Sequence, residues 1–94
     1  MYTEEDIRAI KLFKCLSNGT RYQMLKVLEK ESKCVNELAE LLNKKPENIS
    51  QHLKILRDLN LVSYKTLEHK VMYSLKNQEI IKVIEHMIDI VSRK

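Results

Sequence analysis

The chain has 94 residues, of which 44% are hydrophobic, and a formal net charge of +4. That length suits one small domain, and that charge suits a polyanionic partner. No apolar run approaches the roughly 18 residues that a membrane-spanning helix needs, and the acidic N-terminus lacks the apolar segment of a signal peptide. We therefore expect one domain over residues 1–94, located in the cytoplasm and without a membrane partner.

Local signals predict two helices in the first third of the chain. The single Gly and single Pro favour mostly helical structure with short connections. Apolar residues at helical spacing indicate a first helix over about 4–16, where Thr3 can cap a first turn rich in acidic side chains. The segment SNGTR interrupts this pattern, and its Asn18 is a candidate N-cap for a second helix that ends near Lys30.

Two further helices are predicted on either side of the turn NKK. The segment VNELAELL, residues 35–42, indicates a third helix with Cys34 at its N-cap and Glu37 three residues later. Pro46 suits the first position of a fourth helix, which we expect to end near Asn60. Its buried face is predicted to contain Ile49, Leu53 and Leu56.

The apolar period then changes from helical to strand-like. The segments LVSYKT and VMYSL, separated by the polar LEHK, predict a two-stranded hairpin. A last helix is expected over about 77–92. Its apolar stripe is wider than one small domain needs to cover, so we expect burial on more than one side. The stripe consists of Ile80, Ile81, Val83, Ile84, Met87, Ile88, Ile90 and Val91.

Two short helices joined by a tight turn and followed by a hairpin form a winged helix-turn-helix. The exposed face of the fourth helix is rich in side chains that can hydrogen-bond base edges in the major groove. These candidates are Asn48, Ser50, Gln51, His52 and Lys54. Basic side chains before that helix and on the hairpin could contact phosphates or a flanking minor groove. They are Lys44, Lys45, Lys65, His69 and Lys70.

The segments LSNGTRYQMLKVL, CVNELAELL, ISQHLKILRDLNLV and YSL resemble, in order, successive motifs of the ArsR/SmtB family of winged-helix repressors. The resemblance spans nearly the whole chain. It implies a mainly α fold with a small β-hairpin, with about five helices and a two- or three-stranded wing sheet. Gly19, where the family usually has proline, and Asn60, where it usually has glycine, depart from the pattern, although asparagine tolerates the left-handed conformation of helix ends.

The resemblance also implies a homodimer that occupies a palindromic operator in double-stranded DNA, with repression relieved by an inducer. In such a dimer the first and last helices form the interface. The apolar residues that we expect there are Ile7, Ile10, Ile80, Ile84, Met87, Ile88 and Val91.

The metal sites of the family fit this sequence poorly. The family motif CVCDL corresponds here to CVNEL, so Cys34 remains while Asn36 replaces the second thiol. A second family site corresponds here to Asn77, Glu79, Ile90 and Arg93. Isoleucine and arginine cannot ligate a cation. We therefore predict no cofactor and no metal site. Capping, a redox or persulfide switch and metal ligation stay open for Cys34, and the inducer stays unknown.

No enzyme is predicted, because the sequence contains neither a glycine-rich phosphate loop nor an HExxH motif and shows no nucleophile–base pattern. The alternative to a DNA-binding regulator is a winged-helix interaction module that binds protein partners through the same helix. Such a module would more often expose apolar residues on that helix. Here the face is polar and flanked by lysines, which favours DNA.

Overall fold

The computed structural model describes residues 1–93. Within them the chain forms five helices and one two-stranded antiparallel sheet, which confirms the predicted winged helix-turn-helix fold. No helix in this range is both long and apolar enough to cross a membrane. In chain order the elements are α1 (Glu4–Leu16), α2 (Gly19–Lys30), α3 (Val35–Leu42), α4 (Pro46–Asp58), β1 (Val62–Leu67), β2 (Lys70–Leu75) and α5 (Glu79–Ser92).

The helices begin at the predicted capping residues. The Thr3 hydroxyl accepts a hydrogen bond from the Asp6 N–H at 3.0 Å, and the Asp6 carboxylate accepts one from the Thr3 N–H at 2.9 Å. The Asn18 side chain accepts from the Arg21 N–H at 3.0 Å at the start of α2. Pro46 occupies the first turn of α4. Side-chain caps satisfy N–H groups that have no partner inside the helix, which explains why local sequence located these boundaries.

Two asparagines end helices in the left-handed conformation. Asn43, after α3, has φ 54°, and Asn60, after α4, has φ 60°. The Leu61 N–H then donates to the Leu56 carbonyl at 2.9 Å and closes the end of α4. Helix α4 therefore ends at Asp58, two residues before the predicted boundary.

Helix α2 lies at the centre of the fold and contacts α1, α3, α4, α5 and β2. Its Met24, Leu25 and Leu28 are buried, as are Ile49 and Leu53 of α4, which confirms both predicted inner faces. The core is aliphatic. It consists of Cys15, Leu16, Met24, Leu25, Leu28, Leu38, Ala39, Ile49, Leu53, Leu56, Leu61, Val62, Ile80, Ile81 and Ile84.

The hairpin is longer than predicted. Only Glu68 and His69 lie between the strands, and both have positive φ, 49° and 71°. This conformation matches the twist of a tight two-residue hairpin turn. A single antiparallel bridge between Lys33 and Tyr73 joins the segment before α3 to β2. The sheet therefore has two strands plus one bridge, rather than a full third strand.

The predicted dimer interface on α5 is wrong in part. Ile80 and Ile84 are 2% and 0% exposed within the single chain, because they pack in the core, so they present no surface to a partner. The same apolar stripe continues towards the C-terminus through half-buried Met87 and exposed Ile88 and Val91. Met87 packs against the edge of the core, whereas Ile88 and Val91 lie beyond it, which leaves this end of the stripe uncovered in the single chain.

Candidate nucleic-acid interface

The turn between α3 and α4 sets the geometry of the helix-turn-helix. It covers residues 43–45, and its first residue, Asn43, adopts the left-handed conformation. The Lys44 N–H donates to the Ala39 carbonyl at 2.9 Å and closes the end of α3. The rigid φ of Pro46 then starts α4. A turn this short holds the two helices in one fixed relation.

One face of α4 is buried and the opposite face is polar and open. Because Ile49, Leu53 and Leu56 pack in the core, the residues between them are directed outwards. The predicted DNA-contacting residues that are exposed on or just before α4 are Lys44, Lys45, Asn48, Ser50, Gln51 and Lys54. Ile55, 40% exposed, also reaches this surface and was not among the sequence candidates. The exposed set offers both donors and acceptors, the chemistry that reads base edges.

Lys54 is the one exposed member of this set with an ionic partner in the described part of the chain. Its ammonium lies 3.0 Å from the Asp58 carboxylate, one helical turn away. Both side chains are more than half exposed, and pairs of this kind contribute little to stability. Lys54 can therefore exchange Asp58 for a phosphate or a guanine edge at small cost.

His52 occupies a different position from the other predicted DNA-contacting residues of α4. Its side chain is half-buried, and its Nδ1 lies 3.2 Å from a guanidinium nitrogen of Arg21, at the start of α2. Burial lowers the pKa of His52, and the positive charges of Arg21 and Lys44 lower it further. The ring is therefore neutral over a wider pH range than a free histidine. Sequence reasoning missed Arg21, because 31 positions separate it from His52.

The hairpin carries its charged residues on a defined face. Directly paired residues share a face, so the pairs of Lys65 with Met72 and of Leu67 with Lys70 place both lysines on the same side. His69 lies in the exposed turn. The structure thus places all three predicted hairpin contacts at or near the exposed tip.

The opposite face of the hairpin is anchored to α4. The Arg57 guanidinium carbon lies 5.2 Å from the centroid of the Tyr64 ring, and that ring lies 5.7 Å from the ring of Tyr73. Arg57 and Tyr64 were not predicted as site residues. A basic residue near the end of α4 and an aromatic residue two positions into β1 were the only sequence signals for this contact.

The two cysteines have different environments. Cys15 is buried in the core, and this burial raises the pKa of its thiol against the opposing effect of Arg21. Cys34 is half-buried at the N-cap of α3, and its N–H donates to the Glu37 carboxylate at 2.9 Å. Within residues 1–93, no three His, Cys, Asp or Glu side chains are grouped so that they could hold a metal ion.

Comparison with known proteins identifies the family. The family model described as "Bacterial regulatory protein, arsR family" matches residues 18–64. The cadmium resistance transcriptional regulatory protein CadC homolog of Staphylococcus aureus is 32% identical over 76 residues, which cover 80% of this chain and 63% of that protein. The chain belongs to the arsR family. The chain spans less than two thirds of the length of that relative, and its fold is the winged helix-turn-helix that the sequence motifs predicted.

Two solved structures have the same fold as this chain. HlyU from Vibrio cholerae aligns with a TM-score of 0.81 at 28% identity, over 98% of this chain and all of that one. HlyU is named as a transcriptional activator. The winged helix-turn-helix domain of Mb0332 from Mycobacterium bovis, described as homodimeric and DNA-binding, aligns with a TM-score of 0.77 over 90% of this chain and 78% of that one. At 20% identity, the second comparison supports the fold alone.

Proposed function

We propose that this protein is a homodimeric, sequence-specific regulator that binds a palindromic operator in double-stranded DNA and represses by occupying a promoter. The observation that carries the proposal is the outward face of α4. On that face Asn48, Ser50 and Gln51 are exposed beside Lys44 and Lys45, while the opposite face is locked in the core. The helix is thus free to enter a major groove with its polar side chains foremost.

The charged and the uncharged polar side chains of the interface have different proposed roles. Lys44 and Lys45 before α4, together with Lys65 and Lys70 on the hairpin, supply attraction to phosphates that does not depend on sequence. The short polar side chains of α4 supply the choice of sequence, because amides can pair bidentately with adenine. The Arg57–Tyr64 contact joins the hairpin to α4, so the hairpin lysines and the polar side chains of α4 can meet the same duplex together.

A second copy of the chain is the proposed occupant of the uncovered apolar surface. A groove of about 340 Å³ between α1 and α5 is lined by Phe13, Leu16, Tyr22, Met87, Ile88 and Val91, with one polar residue, Ser17. Phe13 and Val91 are 61% and 79% exposed. Ile7 and Ile10 lie on α1, exposed and half-buried respectively, and extend the apolar surface along that helix. A two-fold dimer would match the two halves of a palindrome.

The proposal requires no catalytic step and no inducer. The N-cap position and the bond to Glu37 account for the placement of Cys34, so the proposal does not require a thiol switch. Binding to a bacterial operator would place the protein in the cytoplasm, beside the chromosome. The choice of repression follows from promoter occlusion, which needs only occupancy of the site.

The test is fluorescence anisotropy of the full chain with a duplex from its own promoter and a scrambled duplex, each over a salt series. We expect preference for the promoter by roughly a thousandfold or more, with affinity that falls steeply as salt rises. Equal and weak binding to both duplexes would contradict sequence-specific recognition. Absence of binding at low salt would favour the protein-interaction module instead. Transcription from the same promoter in the presence of the protein then separates repression from activation.

A further inference from the structure

Arg21 is held in place from both ends. Its backbone N–H is bound by the Asn18 side chain at 3.0 Å. Its guanidinium donates from Nε to the Cys15 carbonyl at 3.1 Å and from one terminal nitrogen to the Lys14 carbonyl at 3.5 Å. These carbonyls belong to the last turn of α1, where oxygens lack the N–H partners of a regular helix and the helix dipole favours a cation. The Ser17 hydroxyl also donates to the Lys14 carbonyl at 2.8 Å, and the Asn18 N–H donates to the Cys15 carbonyl at 3.4 Å. The guanidinium therefore has little freedom to turn.

The other terminal nitrogen of Arg21 lies 3.2 Å from Nδ1 of His52 on α4. A guanidinium has five donors and no acceptor, so it must donate in this contact. Nδ1 of His52 must then accept, which requires that this nitrogen carries no proton. A neutral imidazole has one N–H, so the proton lies on Nε2. Within residues 1–93, Nε2 has no hydrogen-bond partner in the protein.

We propose that Arg21 is a positioning residue for DNA recognition, which orients the His52 ring and fixes its tautomer so that Nε2–H serves as a donor to an acceptor on the DNA. This inference rests on the proposed function and assigns separate tasks to the two nitrogens of one ring. Nδ1 holds the side chain to the scaffold, and Nε2 contacts the ligand. The acceptor is a base-edge oxygen or nitrogen, as on guanine or thymine, or a phosphate oxygen.

The first measurement is the tautomer of His52 in the free protein, read from long-range ¹H–¹⁵N correlation spectra at a pH where the ring is neutral. We expect the unprotonated nitrogen to be Nδ1 in the wild type. In Arg21→Met this preference should weaken, while Arg8→Met, which removes an exposed arginine charge from α1, should leave it unchanged. A wild-type ring protonated at Nδ1 would overturn the inference, even if Arg21→Met does not fold.

The second measurement is a double-mutant cycle of promoter affinity with Arg21→Met and His52→Ala. We expect Arg21→Met to weaken binding about tenfold when His52 is present and much less in the His52→Ala background, because the two residues act as one unit. Equal losses in both backgrounds would overturn the inference. Failure of the wild type to bind the promoter at all would count against the proposed function, and the tautomer measurement would still report on the contact.

A matched pair of variants separates the two nitrogens of the ring. In His52→Asn the amide retains an acceptor near the position of Nδ1 but loses the distal donor. In His52→Gln the amide retains a distal donor near Nε2. We expect promoter affinity to fall further in His52→Asn than in His52→Gln, and the reverse order would contradict the assignment. The affinity of the His52 variants for duplexes with single base-pair substitutions then identifies the acceptor. If the variants lose the wild-type preference at one base pair only, the acceptor is on a base edge. If they bind all duplexes more weakly by the same factor, it is a phosphate.

Discussion

The guanidinium of Arg57 lies over the ring of Tyr64, with 5.2 Å between its central carbon and the ring centroid. Arg57 is in the last turn of α4 and Tyr64 is near the start of β1. The contact therefore joins the proposed reading helix to the hairpin. Because Tyr64 also lies against Tyr73 of β2, both strands are connected to α4 through one aromatic pair.

We predict that Arg57→Ala lowers the free energy of unfolding by only about 0.5–1 kcal/mol, since the cation–π contact is largely exposed. Promoter affinity should fall more than this, because a loosened hairpin must be ordered again when it meets DNA. Urea unfolding and anisotropy check the two effects. Arg57→Lys keeps the charge but not the planar stacking, so it should recover only part of the affinity. Full recovery would show that charge alone matters.

Base reading and phosphate attraction predict different responses to mutation. Gln51→Ala should weaken promoter binding by about 1–3 kcal/mol and relax the preference at one base pair. Lys70→Ala should weaken all duplexes alike and reduce the slope of log affinity against log salt by about one. Lys30→Ala removes the same charge from the exposed end of α2 and is the control. A uniform loss in Gln51→Ala would contradict its assignment as a reader.

The uncovered end of α5 predicts where a substitution would disrupt the proposed dimer. Ile88→Lys places a charge in the apolar groove next to Phe13 and should raise the dimer dissociation constant roughly thirtyfold or more, as loss of a central contact does. Analytical ultracentrifugation measures this directly. Leu41→Lys alters an exposed leucine of α3 and is the matched control. Unchanged dimerisation in Ile88→Lys would show that the interface lies elsewhere.

The environment of His52 predicts a pH dependence of stability. Burial, Arg21 and Lys44 lower its pKa in the folded state below the ordinary value of 6.5, so the unfolded chain binds the proton more readily. The resulting stabilisation is present above that ordinary value and is lost as the pH falls through the lower pKa of the folded state.

Urea unfolding of the wild type and His52→Asn at several pH values checks this prediction, since asparagine does not titrate. The difference in unfolding free energy between the two proteins should be constant above about pH 7. At lower pH the wild type should lose stability relative to His52→Asn. Carboxylates titrate in both proteins and cancel in this difference. A difference that does not change with pH would contradict the assigned environment.

The turn between α3 and α4 depends on the left-handed conformation of Asn43. Asn43→Val should lower the free energy of unfolding by about 1–2 kcal/mol, because a β-branched side chain crowds the following carbonyl at positive φ. Asn43→Gly should stay within about 0.5 kcal/mol of the wild type, because glycine adopts this conformation readily. Chemical denaturation measures both. Equal stability of the two variants would show that the turn relaxes to another conformation.

The sequence by itself determined the helix starts, the class of the fold and most of the exposed polar face of α4. Thr3, Asn18 and Pro46 act through neighbouring backbone groups, so a few consecutive residues contain the whole signal. The same locality explains Asn48 and Gln51, which are exposed because helical periodicity buries Ile49 and Leu53.

Only the tertiary structure decided where burial ends and which distant groups meet. The stripe on α5 has one period throughout, yet Ile84 is in the core and Ile88 is exposed, because the rest of the chain covers only the first half of the helix. Nothing in the sequence distinguishes His52 from its neighbours on α4. Its contact with Arg21 arises because α2 packs against α4. Such contacts depend on packing between elements, which local propensity does not encode.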